Sequence, residues 1–203
     1  MKQLHAPLSL EDVSALKAGD MVIISGDIFT ARSGFYRKLL TDKEPFPLDP
    51  AKNNVMLHSG PIIKRIGDWY EVAAISITTS VRFNKWEPEV IEKLGLRAII
   101  AKGRVGRETR EAMKRFGCVH LCRTGTFAGA FARRVRRVKN ADWLDLGLPE
   151  ALWNLEFEDF GPLIVETDTH GNSCYDVIGK DLEPKIAQAY RELGIEDFEF
   201  AEK

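Results

Sequence analysis

The 203 residues contain only three cysteines, Cys118, Cys122 and Cys174. So sparse and odd a set excludes a disulfide framework and suits reduced thiols. No apolar run approaches the roughly 18–20 residues that span a bilayer. Residues 1–7 lack the apolar core of a signal peptide. The expected location is therefore cytoplasmic. Charge of one sign is also missing: 29 Lys and Arg against 30 Asp and Glu leave a formal net charge of -1. That balance excludes a chain-wide basic footprint for nucleic acid. Neither a Ser–His–Asp set, a pair of catalytic acids nor a zinc-ligand pattern stands out. The run Lys102-Gly103-Arg104-Val105-Gly106 lacks the Gly-Lys-Ser/Thr ending that cradles a nucleotide phosphate.

What is present is ordinary material for a soluble core, 44% hydrophobic and 29% charged. Length and the absence of a repeat or linker favour one domain over residues 1–203. Ser9, with Asp12 three residues on, reads as a capping box opening a short helix. Residues 21–30 are rich in β-branched side chains and read as a strand. Phe35, Tyr36, Leu39 and Leu40 recur at helical spacing. Residues 41–54 read as an exposed loop, residues 55–58 as a strand stopped by Ser59-Gly60-Pro61, and residues 69–77 as a longer strand. Asn84 is placed to cap a helix with Pro88 in its first turn and Gly95 at its end. Strand, helix, strand and helix then alternate to residue 132, with strands at 96–101 and 118–122. Residues 155–157 and 163–165 read as two further strands, and residues 181–193 as a closing amphipathic helix. Such alternation is the pattern of right-handed crossovers and a parallel sheet covered by helices.

Arg32, Thr78, Thr79, Arg82 and Lys102 each fall at or just past the end of a predicted strand. Arginine offers a planar fork to a carboxylate, lysine a point charge, threonine a short adjustable donor or acceptor. In open α/β sheets ligands collect beyond the carboxyl ends of strands. The same residues also suit helix caps and solvated surface cations. Cys118 and Cys122, with His120 between them, read as buried structural thiols rather than metal ligands. His58 reads as a satisfied structural group beside a turn, with a supporting role at the site open to it. His170 reads as exposed in a polar turn. Arg133-Arg134-Val135-Arg136-Arg137-Val138-Lys139 suits a polyanion, a solvated face or a charge-protected edge strand, and the missing aromatics favour the last.

Several segments in order resemble one family. They are Ser25-Gly26-Asp27-Ile28-Phe29-Thr30-Ala31-Arg32, His58-Ser59-Gly60-Pro61-Ile62, Thr78-Thr79-Ser80-Val81-Arg82 and Ala101-Lys102-Gly103. Leu148-Pro149-Glu150-Ala151-Leu152-Trp153, Phe160-Gly161-Pro162-Leu163-Ile164-Val165 and Asp168-Thr169-His170-Gly171-Asn172 extend the match. The chain resembles the β subunit of two-subunit class I fumarate hydratases and L(+)-tartrate dehydratases, equivalent to the C-terminal domain of single-chain class I fumarases. That resemblance implies a swivelling β/β/α domain. It implies an α subunit that binds a [4Fe–4S] cluster, an α2β2 assembly, and hydration or dehydration of a small dicarboxylate. Neither nucleic acid nor membrane is implied, and no metal bound by this chain. Carried over, Arg32, Thr78, Thr79, Arg82 and Lys102 contact substrate carboxylates, with Thr78 and Lys102 catalytic and Thr78 transferring a proton at carbon.

The sequence departs from the family pattern at five positions, one of them Phe83 after Arg82, where methionine is common. Ser76-Ile77 replaces a Gly-Pro before the two threonines, which predicts a looser turn. Ser33 replaces an Asp after the first arginine, which predicts a missing orienting carboxylate. Tyr36 stands where a histidine is usual. With these changes a non-catalytic small-anion-binding or interaction module of the same fold is the competing expectation.

Overall fold

A computed structural model describes residues 1–123 and 128–195. In chain order the elements are β1 (Lys2–His5), α1 (Leu10–Ser14), β2 (Met21–Ala31), α2 (Ser33–Tyr36), β3 (Val55–His58), β4 (Ile62–Ile66) and β5 (Trp69–Ala74). Then come α3 (Glu87–Leu94), β6 (Ala98–Ala101), α4 (Arg107–Phe116), β7 (Val119–Cys122), α5 (Ala128–Ala132), β8 (Val135–Asp142), β9 (Leu152–Thr167) and α6 (Cys174–Glu192). None of these helices is long and apolar enough to cross a membrane.

Seven strands form one sheet in the order β1-β2-β3-β6-β7-β9-β8. A further antiparallel pairing, β9 against β2, closes β2, β3, β6, β7 and β9 into a ring. The first five strands of the sheet run parallel, as the alternation predicts. β3, β6 and β7 are buried at every position. Burial on both faces is why they read as continuous apolar runs rather than alternating ones. α3 turns Val90, Ile91 and Leu94 inward, and α4 turns Thr109, Ala112 and Met113 inward.

The register sets up one end of the ring. Ala31 pairs with His58, and Leu57 with Ile100, so the chain leaves β2, β3 and β6 at one level. The next residues out are Arg32, Ser59 and Lys102.

Several expectations change. Residues 152–167 form one long bent strand rather than two short ones, with register shifts where it leaves one neighbour for the next. Gly161-Pro162 lies inside it, at a position that a central strand rarely tolerates. The extended run at 69–77 is a strand only to Ala74 and pairs with β4 in a separate hairpin. The capping box of Ser9 and Asp12 forms as expected. Asn84 caps from outside its own helix: its Oδ1 accepts from the Gly106 N–H at 2.9 Å, at the start of α4. The closing helix begins at Cys174, seven residues before 181, capped by Ser173. Of the helix expected at 124–132, residues 124–127 lie outside the described residues, and 128–132 are helical. The basic run enters β8 at Val135, and that strand does form an edge of the sheet.

Candidate active site at the carboxyl ends of the parallel strands

After β5 the chain returns to the ring and runs along the ends of β3 and β6. The Thr78 N–H donates to the His58 carbonyl at 2.6 Å, and the Lys102 N–H to the Thr78 carbonyl at 2.9 Å. The Ser80 N–H donates to the Lys102 carbonyl at 3.0 Å, and Thr79 bridges Lys102 in parallel sense. Thr78-Thr79-Ser80 is thus a short arm inserted between two strand ends. The turn before it is pinned despite the absent Gly-Pro. Ser59 Oγ donates to the Ser76 carbonyl at 2.8 Å, and Ile77 is buried in the core.

This arm brings Thr78, Thr79, Arg82 and Lys102 to one end of the ring. Thr78, Thr79 and Lys102 are half-buried and Arg82 is exposed. Gly103, in the left-handed region at φ 78°, turns the chain away behind Lys102. Arg82 lies over the Phe83 ring, 5.2 Å from its centroid. Among the described residues, neither Arg82 nor Lys102 has a carboxylate within ion-pair distance. Two cations without counter-ions, beside two hydroxyls, suit an incoming dianion.

Arg32 leaves β2 at the same level. Its Nε lies 3.2 Å from Glu150 Oε1. The other Glu150 oxygen accepts from the Gly34 N–H at 2.8 Å. A carboxylate from a distant loop therefore stands where the Asp-to-Ser change at Ser33 had predicted none. Gly60 makes room for the arginine: a Cβ there would meet Arg32 Cδ at 2.7 Å and the Pro149 carbonyl at 2.8 Å.

Behind the arm lies a buried polar chain. Tyr36 Oη is 2.7 Å from His58 Nε2, Ser80 Oγ is 3.3 Å from His58 Nδ1, and Ser80 Oγ donates to Glu87 Oε1 at 2.6 Å. All four side chains are buried. Burial, with His120 and Arg82 nearby, pushes the His58 pKa down to about 3, so the ring is neutral. The single Ser80 proton is spent on Glu87, so Nδ1–H of His58 donates to Ser80 and Nε2 accepts from Tyr36. Burial raises the Glu87 carboxyl above its usual range, and the hydrogen bond from Ser80 opposes it. Among the described residues, Glu87 Oε2 has no partner in hydrogen-bond geometry. On the same side of the sheet His120 Nδ1 lies 2.9 Å from Glu166, whose oxygens also accept from Thr167 and Ser173.

His58 is thus the satisfied structural group expected beside the turn. Sequence reasoning missed Glu87, because an acid in a first helical turn looks like a partner for the helix dipole. It named Glu150 only within a matching motif and gave it no role. His170 is exposed, as expected. The three thiols are free. Burial raises Cys118 and Cys174, and pushes Cys122 up to about 11. No group of three or more His, Cys, Asp or Glu among the described residues could hold a metal ion.

The class is thus a closed α/β ring with cations and hydroxyls gathered at the carboxyl ends of its parallel strands. The model of the family described as Fumarase C-terminus matches residues 2–178. A Methanocaldococcus jannaschii protein, provisionally named L(+)-tartrate dehydratase subunit beta, is 39% identical over 92% of this chain and 97% of its own. The L(+)-tartrate dehydratase subunit beta of Escherichia coli K12 is 35% identical over 85% of each chain. A Geobacillus stearothermophilus protein, provisionally named fumarate hydratase class I, is 35% identical over 91% of this chain and 35% of its own. The chain belongs to the Fumarase C-terminus family, as a hydro-lyase chain of the β-subunit type.

Proposed function

We propose that this chain is one wall of the active site of a two-subunit hydro-lyase that reversibly hydrates a small dicarboxylate of the fumarate–malate or tartrate type. The observation that carries the reading is the arm zipped between β3 and β6. It sets Thr78 and Thr79 beside Lys102, with Arg82 one turn on and, among the described residues, no carboxylate paired with either cation. Arg32, Arg82 and Lys102 hold the two carboxylates, with hydrogen bonds from Thr78 and Thr79. Thr78 Oγ1 takes or gives the proton at carbon. Lys102 stabilises the negative charge that develops at the adjacent carboxylate.

The cluster implied for this family does not fit this chain. Its cysteines stand just before β7, at the end of β7 and at the start of α6, with thiols raised by burial, whereas cluster ligands are thiolates. We place a [4Fe–4S] cluster in a partner α subunit, within an α2β2 complex in the cytoplasm. The closed ring supports one domain over residues 1–203, of the swivelling β/β/α kind, that turns as a rigid body against that partner.

Co-expression with a cluster-bearing α subunit tests this. The complex is expected to dehydrate L(+)-tartrate or hydrate fumarate, and the lone chain to do neither. Arg82→Ala in the complex removes a charge-assisted contact worth roughly 1.5–3 kcal/mol, a 10- to 150-fold loss in kcat/KM. A fully loaded complex that turns over no 2-hydroxy dicarboxylate, or an unaffected Arg82→Ala, defeats the proposal.

A further inference from the structure

The buried chain Tyr36–His58–Ser80–Glu87 touches no surface, yet it holds a carboxyl whose burial is costly. Glu87 sits at the first position of α3 and is fully buried. Its Oε1 accepts from Ser80, and among the described residues its Oε2 has no partner in hydrogen-bond geometry, although the Thr109 hydroxyl is near enough to oppose the effect of burial. Burying such a group is poor material for stability, since an apolar side chain of similar size does as well or better. Its presence there calls for another role, and the geometry supplies one.

Ser80 is the inward-facing residue between Thr79 and Arg82, at the start of the single 3-10 turn that carries Arg82. Its main-chain N–H is tied to Lys102. Its side chain is tied to Glu87 on α3 and, through His58, to the end of β3 and to Tyr36 on α2. Four elements meet on this hydroxyl: the arm, α3, β3 and α2. Tyr36 is held in turn between the Phe83 and Trp86 rings, with centroids 5.0 and 5.4 Å away. Phe83 follows Arg82 directly, so the same stack fixes the backbone from which the guanidinium projects.

We propose that Glu87 and Ser80 are positioning residues for the substrate-binding arm. Their hydrogen bond, backed by neutral His58 and by Tyr36, fixes the height and angle at which Thr78, Thr79 and Arg82 meet the carboxylate. This rests on the reading of the arm given above. Glu87 touches no substrate and transfers no proton to it. What Glu87 supplies is an acceptor, and a carboxamide oxygen can supply the same.

The prediction is a split between binding and turnover, measured in the complex with the α subunit using L(+)-tartrate and fumarate as probes. Ser80→Ala frees the arm and is expected to raise KM roughly tenfold, with kcat changing far less. Glu87→Ala does the same, and the double variant is no worse than either single, because both remove one link. Glu87→Gln keeps an acceptor for Ser80 and restores KM to within about twofold of the parent. Tyr36→Phe, one step further along the chain, raises KM by a smaller factor. A purely structural role lowers the melting temperature of Ser80→Ala and Glu87→Ala with KM unmoved, and that outcome overturns the proposal. So does a Glu87→Gln variant as impaired as Glu87→Ala. Arg82→Ala is the control: if it leaves KM unchanged, the arm is not the binding wall. If Arg82→Ala raises KM while Ser80→Ala does not, the wall stands and the positioning role fails.

Discussion

Arg32 shows how much a single glycine decides. The side chain crosses Gly60 closely enough that no Cβ fits beneath it, and Glu150 holds its far side. Gly60→Ala must push the guanidinium out or shift the Pro149 loop, at a cost of about 1–3 kcal/mol if the fold absorbs it as overpacking. The expected outcome is a folded complex with raised KM, checked by kinetics beside a thermal melt. A variant with parental KM removes Arg32 from the site. The pair itself is half-exposed, so its contribution to stability is small and its role is orientation. None of this was visible in the motif, which showed an arginine without its carboxylate. The partner arrives from far along the chain, and only the fold brings them together.

At the scale of the element, the parallel strands were the most readable part. Uniform apolar runs such as Ala98-Ile99-Ile100-Ala101 state burial on both faces directly. Glycines at the ends of α3 and α4 mark their stops, and both take the left-handed conformation. Long-range pairings were not readable. β9 carries Gly161-Pro162 in its middle, a local stop signal that tertiary pairing with β2 and β7 overrides. Asn84 carried a genuine capping signal aimed at the wrong helix, because the Gly106 end of α4 folds back onto it. Asn84→Ala is expected to cost roughly 1 kcal/mol of stability through the start of α4, measured as a lowered urea midpoint. An unchanged midpoint means water replaces the cap. Of the five candidate site residues, Arg32 and Lys102 were readable because each directly follows a strand, and Thr78, Thr79 and Arg82 because a strand-like run leads into them. Ser80 and Glu87 were not, because inward-facing polar residues look the same in sequence as outward-facing ones.

The whole molecule carries its buried polar groups as a dependence on pH. The unfolded chain protonates His58 near 6.5, the folded chain only near 3. Between those values the unfolded state binds the extra proton, so stability falls as pH falls, by up to about 1.4 kcal/mol per pH unit. Glu166 adds to this. Burial alone would raise it, but hydrogen bonds from His120, Ser173 and Thr167 hold it below its usual 4.5. Its contribution is present above 4.5 and is lost as pH falls through its lowered value. Glu87 works the other way: its raised carboxyl favours the fold below 4.5, and that share fades as pH rises. Urea midpoints from pH 7 to 4 are expected to decline, and His58→Asn to decline less steeply. Equal slopes would mean that His58 is protonated in the fold.

The ring also fixes an order of events. Met21 in β2 pairs with Ile164 in β9, across most of the chain. Contacts so distant in sequence are slow to form, because the entropy of closing the loop is spent before any of the pairing is gained. Every residue of the proposed binding wall, up to Lys102, leaves the ribosome before β9 exists. Until that strand arrives, β2 and β7 each lack a neighbour, and their open edges invite other chains. The last long strand therefore covers those edges, and a chain cut before Leu152 is expected to be insoluble while still holding all five candidate site residues.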